Sequence, residues 1–189
     1  KDKMKILDLI DKGTIVTHVN FLDIEVWQEL LTKKNLFKYM ASHQPKSAFH
    51  QNRFDAMPVW ETNNFDKIEP ELNNKIKKHF ENLLDIQLSY FHCYVRLTLT
   101  SELKESTQFK DSKYGFVHND NSSLGGLIPF EQSWLGGTAF FEHEYEKVPE
   151  IVYGSHPNRL LLFNGKRNHA ACHDYRIEKR YYLNCFMDI

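Results

Sequence analysis

The sequence predicts an α+β fold in which N-terminal helices brace one side of a double-stranded β-helix, or jelly roll. Two observations carry that expectation. Helical periodicity is confined to the first half of the chain, and from Leu88 onward strand-like runs follow one another, separated by Gly, Pro and Asn. A third observation places chemistry on those strands. His118-Asn119-Asp120 closes one run, and His169 stands in another run about fifty residues later.

The chain has 189 residues, which predicts one domain, with 1–87 as mixed support and 88–189 as the jelly-roll core. Fourteen phenylalanines and nine tyrosines suit a β-rich packed core. The net charge of −1 offers no general attraction for nucleic acid or an anionic membrane, so neither is expected as a partner. No apolar run approaches the roughly 20 residues that cross a bilayer. Cys93, Cys172 and Cys185 form no metal-binding or disulfide spacing and predict reduced thiols. With no apolar signal core after Lys1-Asp2-Lys3-Met4, the expected location is cytoplasmic.

Thr14 to Leu22 alternates apolar and polar positions and predicts a strand. Asp23 is placed to cap a following helix, on which Ile24, Trp27, Leu30 and Leu31 share a face. Residues 41–66 contain Pro45, Pro58 and Asn63-Asn64 and predict loops with short strands. Pro70 opens a second helix, with Leu72, Ile76, Phe80 and Leu83 at helical spacing. The runs beginning at Leu88, Tyr114, Ser123, Gly136, Glu150, Arg159, Asn168 and Lys179 are the predicted strands. The polar stretch 101–113 is a long loop before the histidine motif and a candidate lid.

On an extended strand His118 and Asp120 point to the same side. Two imidazoles and a carboxylate, with His169 from another strand, make a facial triad suited to non-haem Fe(II). A lone His-x-Asp is common by chance. The strands that lead into His118 and His169 raise its value, because ligands from two strands can converge at a barrel mouth. His173, four residues after His169, would fit a helical pair, and the strand pattern argues against that. Trp60, Trp134 and Arg53 fall in loop-like segments that could line a substrate mouth, although packing explains each as well.

The segments FVHND at 116–120, GGTAFFEHE at 136–144, NRLLLFNGKRNHAAC at 158–172 and KRYYLNCFM at 179–187 occur in a familiar order. Across about the last hundred residues, the chain resembles the Fe(II)/2-oxoglutarate-dependent dioxygenases, in their prolyl-hydroxylase-like branch. The resemblance implies His118, Asp120 and His169 as metal ligands and Arg180 as the anchor of the far carboxylate of 2-oxoglutarate. A guanidinium directed into a barrel needs such a partner. Lys179 is the competing anchor, and only one of two strand neighbours can point inward. Tyr94 resembles a tyrosine that hydrogen-bonds the cosubstrate, with a core tyrosine as the equal alternative. Arg96 shares its face and could meet substrate, as could Trp134. One departure stands out: relatives often carry a tyrosine where this chain reads LGGLIPFE.

The implied activity is oxidative decarboxylation of 2-oxoglutarate to succinate and CO2, coupled to hydroxylation of an amino acid or a peptidyl, prolyl-type residue. The implied cofactors are Fe(II) and 2-oxoglutarate, and the partner is a small-molecule, peptide or protein substrate. Two other readings compete. One is a non-catalytic jelly-roll binding module, and the other a cupin-like metal protein, since jelly rolls host unrelated chemistries. A cation turned into the barrel separates the oxygenase from both.

Overall fold

The computed structural model describes residues 5–41, 58–106 and 109–189. Its helices are α1 (Ile6–Asp11), α2 (Ile24–Lys33), α3 (Phe65–Ile68), α4 (Pro70–Leu84) and α5 (Thr100–Glu105). Strands β1 (Val16–His18), β2 (Met40–Ala41), β3 (Val59–Glu61) and β4 (Tyr90–Leu99) precede the histidine motif. After it come β5 (Leu124–Pro129), β6 (Ser133–Phe141), β7 (Ile151–Ser155), β8 (Leu160–Asn164), β9 (Asn168–Cys172) and β10 (Lys179–Asp188).

The strands form two sheets with antiparallel pairings. The larger has the order β1-β8-β5-β10-β4-β3-β2 and the smaller β7-β6-β9. Bridges Tyr114–Cys172 and His118–His169 lay segment 114–118 along the free edge of β9. The architecture is α+β with a large antiparallel sheet, as in a jelly roll.

Period-two alternation sorts the central strands. Cys93, Val95 and Leu97 of β4, with Leu183, Cys185 and Met187 of β10, join one buried cluster with residues of α2 and α4. Tyr94, Arg96 and Thr98, with Arg180, Tyr182 and Asn184, line a cavity on the opposite face. Residues of the smaller sheet, including Thr138, His169 and Ala171, line the same cavity. The site therefore lies between the sheets, and the hydrophobic core lies between the large sheet and the helices.

Local chemistry accounts for the helices. The Asp23 carboxylate accepts the Val26 N–H at 2.9 Å and caps α2, with Glu25 in the first turn and Lys33 in the last. Pro70 starts α4 and Asp85 ends it in the left-handed conformation (φ 55°). Leu72, Ile76 and Phe80 are fully buried along α4, whereas Leu83 is half-buried and Leu84 takes the inner position. On α2 the inward face is Val26, Trp27 and Leu30. Ile24, expected on it, is exposed because it lies in the first turn beside the cap.

Several boundaries differ from the sequence expectation. Only three residues of 14–22 form a strand, paired with β8. The first part of the expected lid is α5, because Leu103 docks with Val59 and Phe109. Segment 114–120 meets β9 through isolated bridges and is not a continuous strand. Gly136-Gly137 lies inside β6, where the register shifts between Ser133 and Gly137. All three cysteines are free and buried.

Candidate metal and cosubstrate site

His118 and His169 form a mutually hydrogen-bonded antiparallel pair. The His118 N–H donates to the His169 carbonyl at 3.0 Å, and the His169 N–H donates back at 2.8 Å. Such pairing puts both side chains on one face as nearest neighbours. Their rings stand 4.4 Å apart, centre to centre. Asp120 arrives from the turn that follows, its N–H bonded to the Gly165 carbonyl at 2.7 Å. Its carboxylate oxygens lie 4.0 Å from His118 Nε2 and 3.7 Å from His169 Nε2.

The protonation pattern follows from the outer contacts. His118 Nδ1 lies 3.0 Å from the Phe116 carbonyl and His169 Nδ1 lies 2.9 Å from the Arg167 carbonyl. A carbonyl only accepts, so each Nδ1 carries the proton and each Nε2 turns its lone pair toward the point the Asp120 carboxylate also faces, where a cation and not a hydrogen bond would join them. Burial, reinforced by the neighbouring ring, pushes His118 down to about 4, and burial does the same to His169. Both rings are neutral near pH 7. Burial raises the Asp120 carboxyl, which marks an anion in need of a cation. Two neutral imidazoles, one carboxylate and ligand atoms all within 4.8 Å of one another fit a first-row divalent metal.

Glycine makes room for the carboxylate. A Cβ on Gly125 would stand 2.7 Å from the Phe163 ring and 3.2 Å from Asp120 Oδ2.

Arg180 lines the same cavity, of ≈ 360 Å³, and is 5% exposed, while its neighbour Lys179 faces solvent. The Arg180 guanidinium donates to the Cys172 carbonyl at 2.6 Å, to Ser155 Oγ at 3.2 Å and to the Tyr182 hydroxyl. These acceptors are all neutral. Among the described residues no carboxylate pairs with it, and the nearby Glu131 pairs with Lys34 at 3.6 Å. A buried cation without a counter-ion is costly unless an anion arrives. A Cβ on Gly136 would come within 2.9 Å of Arg180 Nη1, so that glycine provides the guanidinium's space.

Tyr94 and Arg96 both line the cavity. Arg96 Nη2 donates to the Tyr94 hydroxyl at 3.2 Å, and burial pushes Tyr94 up to about 12. The phenol therefore keeps its proton as a donor. Trp134 stands apart from this cavity. It is 82% exposed and does not line the cavity, because the irregularity in β6 turns both Trp134 and Leu135 outward. Trp60 donates to Glu102 at 2.9 Å and ties β3 to α5. Arg53 and most of 41–66 lie outside the described residues.

Polar groups of the site not singled out from the sequence include Tyr182, Glu61 and, as an inward-facing group, His173, which line the cavity, and Ser155, which accepts from Arg180 behind it. Tyr182 had a signal, since it follows Arg180 by two on one strand and must share its face. The other three depend on which strands oppose each other.

No protein-family model matches the sequence, and no curated protein matches it. Solved structures do match in fold. A prolyl hydroxylase from Trichoplax adhaerens, in complex with a hypoxia-inducible-factor peptide, superposes with a TM-score of 0.65 at 14% identity, over 96% of this chain and 86% of that one. A 2OG-Fe(II) oxygenase family member from Burkholderia pseudomallei gives 0.62 at 9% identity, over 98% and 92%. The chain has the 2-oxoglutarate–Fe(II) oxygenase fold. The same oxygenase fold carries SnoN, a non-haem α-ketoglutarate-dependent epimerase of nogalamycin biosynthesis, at a TM-score of 0.62 and 13% identity over 94% and 79%.

Proposed function

We propose that this chain is a single-domain Fe(II)- and 2-oxoglutarate-dependent oxygenase. It hydroxylates an amino acid or a peptidyl, prolyl-type residue and releases succinate and CO2. The observation that carries this reading is a buried Arg180 that pairs with no carboxylate among the described residues, in the cavity that also holds His118, Asp120 and His169. A metal-binding jelly roll without the cosubstrate has no use for such a cation.

In this reading His118 Nε2, His169 Nε2 and the Asp120 carboxylate hold Fe(II). Arg180, Tyr182 and Ser155 receive the far carboxylate of 2-oxoglutarate. When bound, the iron and cosubstrate supply the oxidising power, with dioxygen reduced as 2-oxoglutarate is decarboxylated and oxygen delivered to a substrate C–H. The chain's own groups position and protect. The Nδ1–carbonyl bonds lock both imidazoles, so the ligand set is pre-organised. The Arg180 guanidinium keeps N–H groups beyond those given to Cys172, Ser155 and Tyr182 for a carboxylate, and the Tyr182 hydroxyl that accepts from it stands alongside. The Tyr94 phenol holds its proton and is free to donate into the cavity. Leu127, Phe163 and Ala171 supply apolar wall that keeps water from the reacting centre.

The test is anaerobic loading with Fe(II) and 2-oxoglutarate, then exposure to isotopically labelled dioxygen with free amino acids and prolyl peptides present. Succinate release and one labelled oxygen in the product are expected. A metal-loaded wild type that neither binds 2-oxoglutarate nor releases succinate overturns the reading. Turnover without label in the product would replace hydroxylation by a reaction of the epimerase type.

A further inference from the structure

A second charged pair faces the cavity, and neither the metal ligands nor the cosubstrate anchor uses it. Glu61 of β3 and Arg96 of β4 are direct cross-strand partners. Arg96 Nε and Nη2 both donate to one oxygen, Glu61 Oε1, at 3.0 and 2.6 Å. A side-by-side pair would engage both carboxylate oxygens. Here Glu61 Oε2 and Arg96 Nη1 have no hydrogen-bond partner among the described residues. Both side chains line the cavity, and they are partly open to it, at 33% exposure for Arg96 and 23% for Glu61. Arg96 is also near enough to act electrostatically on His118, Asp120 and His169.

We infer that Glu61 and Arg96 form the subsite for the α-ammonium and α-carboxylate of a free amino acid, which is the substrate presented to the metal. The inference rests on the oxygenase reading and chooses between the free and peptidyl substrates it leaves open. Among the described residues Glu61 Oε2 is an unused acceptor with negative charge, and Arg96 Nη1 an unused donor with positive charge, side by side. A zwitterion carries the complementary pair one carbon apart. An amide-linked residue carries neither charge: its N–H and C=O could still bond Glu61 and Arg96, but as neutral partners they replace the lost water less well than an ammonium and a carboxylate do. A zwitterion also adds no net charge to a cavity whose cationic anchor, Arg180, serves the cosubstrate. At ≈ 360 Å³ the cavity lies at the small end of the range for small-molecule sites.

The experiment is calorimetric titration of the anaerobic Fe(II)/2-oxoglutarate-loaded wild type. The probes are the standard L-amino acids, each also as its N-acetyl amide and at the centre of a tripeptide. At least one free amino acid is expected to bind, with its blocked and tripeptide forms weaker by about 100-fold or more. Glu61→Gln is expected to weaken that amino acid by about 10-fold or more, with folding checked by its melting curve. The blocked-ligand comparison uses the wild type and decides even if the variant does not fold. A tripeptide or blocked form that binds as tightly as the free amino acid overturns the inference. So does the absence of any amino-acid binding to protein that has bound 2-oxoglutarate. Failure to bind 2-oxoglutarate itself is a separate result, and it removes the oxygenase reading and this subsite together.

Discussion

Arg180 and Lys179 are adjacent cations with opposite fates, because a strand sends neighbours to opposite faces. Arg180→Met keeps length and apolar volume but removes the charge and the fork. It is expected to weaken 2-oxoglutarate by about 100-fold while leaving metal affinity within about 3-fold, both read by titration. Equal cosubstrate affinity in the variant would remove Arg180 as the anchor. His173 has a pH signature of its own. It is 3% exposed, its Nε2 has no hydrogen-bond partner among the described residues, and burial, with Arg180 and Lys113 nearby, pushes it down to about 4. Unfolded, the imidazole protonates near its ordinary value of about 6.5. Between those values the unfolded chain binds the extra proton, so this contribution is present above about pH 6.5 and lost as pH falls toward 4. His173→Leu should therefore lose melting temperature more slowly than the wild type between pH 7 and pH 5. Parallel melting curves would show that His173 is not the group responsible.

At the scale of elements, the large sheet works through its two faces. Phe80 of α4 is fully buried, and its ring reaches within 3.0 Å of where a Cβ on Gly126 would lie. Phe80→Ala removes a ring from the joint between helix and sheet and should cost about 3–5 kcal/mol, read from denaturant midpoints. Gly125, one residue earlier, faces the other way. Gly125→Val would push on Phe163 and Asp120, so metal affinity should fall by about 10-fold or more while the fold persists. Wild-type metal affinity in that variant would contradict the steric role assigned to the glycine. These faces also explain what was legible beforehand. His-x-Asp was readable because its spacing is local, whereas His169 and Arg180 were suggested by the order of motifs in the family resemblance, with strand alternation adding only that one of Lys179 and Arg180 can face inward. Glu61, Ser155 and His173 were not readable, since β3, β7 and the end of β9 come together only through sheet order. The outward turn of Trp134 was not legible either: Gly136-Gly137 hints at an irregularity in β6 but not at which way the residues before it face.

For the whole molecule, the site belongs to no single layer. His118 and His169 come from the edge of the smaller sheet, Arg96 and Arg180 from the centre of the larger, and Asp120 from a turn held by Gly165. A ligand that bridges the two sheets should therefore stabilise the entire fold. Without metal, Asp120 is a carboxylate whose burial disfavours its charge, beside two neutral rings. A divalent cation would satisfy all three at once, and it can engage them together only where the fold makes them converge. At a free metal concentration 100-fold above the dissociation constant, linkage gives about 2.7 kcal/mol of added stability. In a domain of this size that is a rise of about 5–10 °C in melting temperature. Fe(II) under anaerobic conditions, or Mn(II), Co(II) or Ni(II) in air, should produce the rise, because the donor set selects a class of ion. His169→Ala should abolish most of it, and 2-oxoglutarate should add a further rise only when metal is present. If 2-oxoglutarate stabilised the metal-free protein equally, Arg180 would bind it without the iron, and the two halves of the site would act independently.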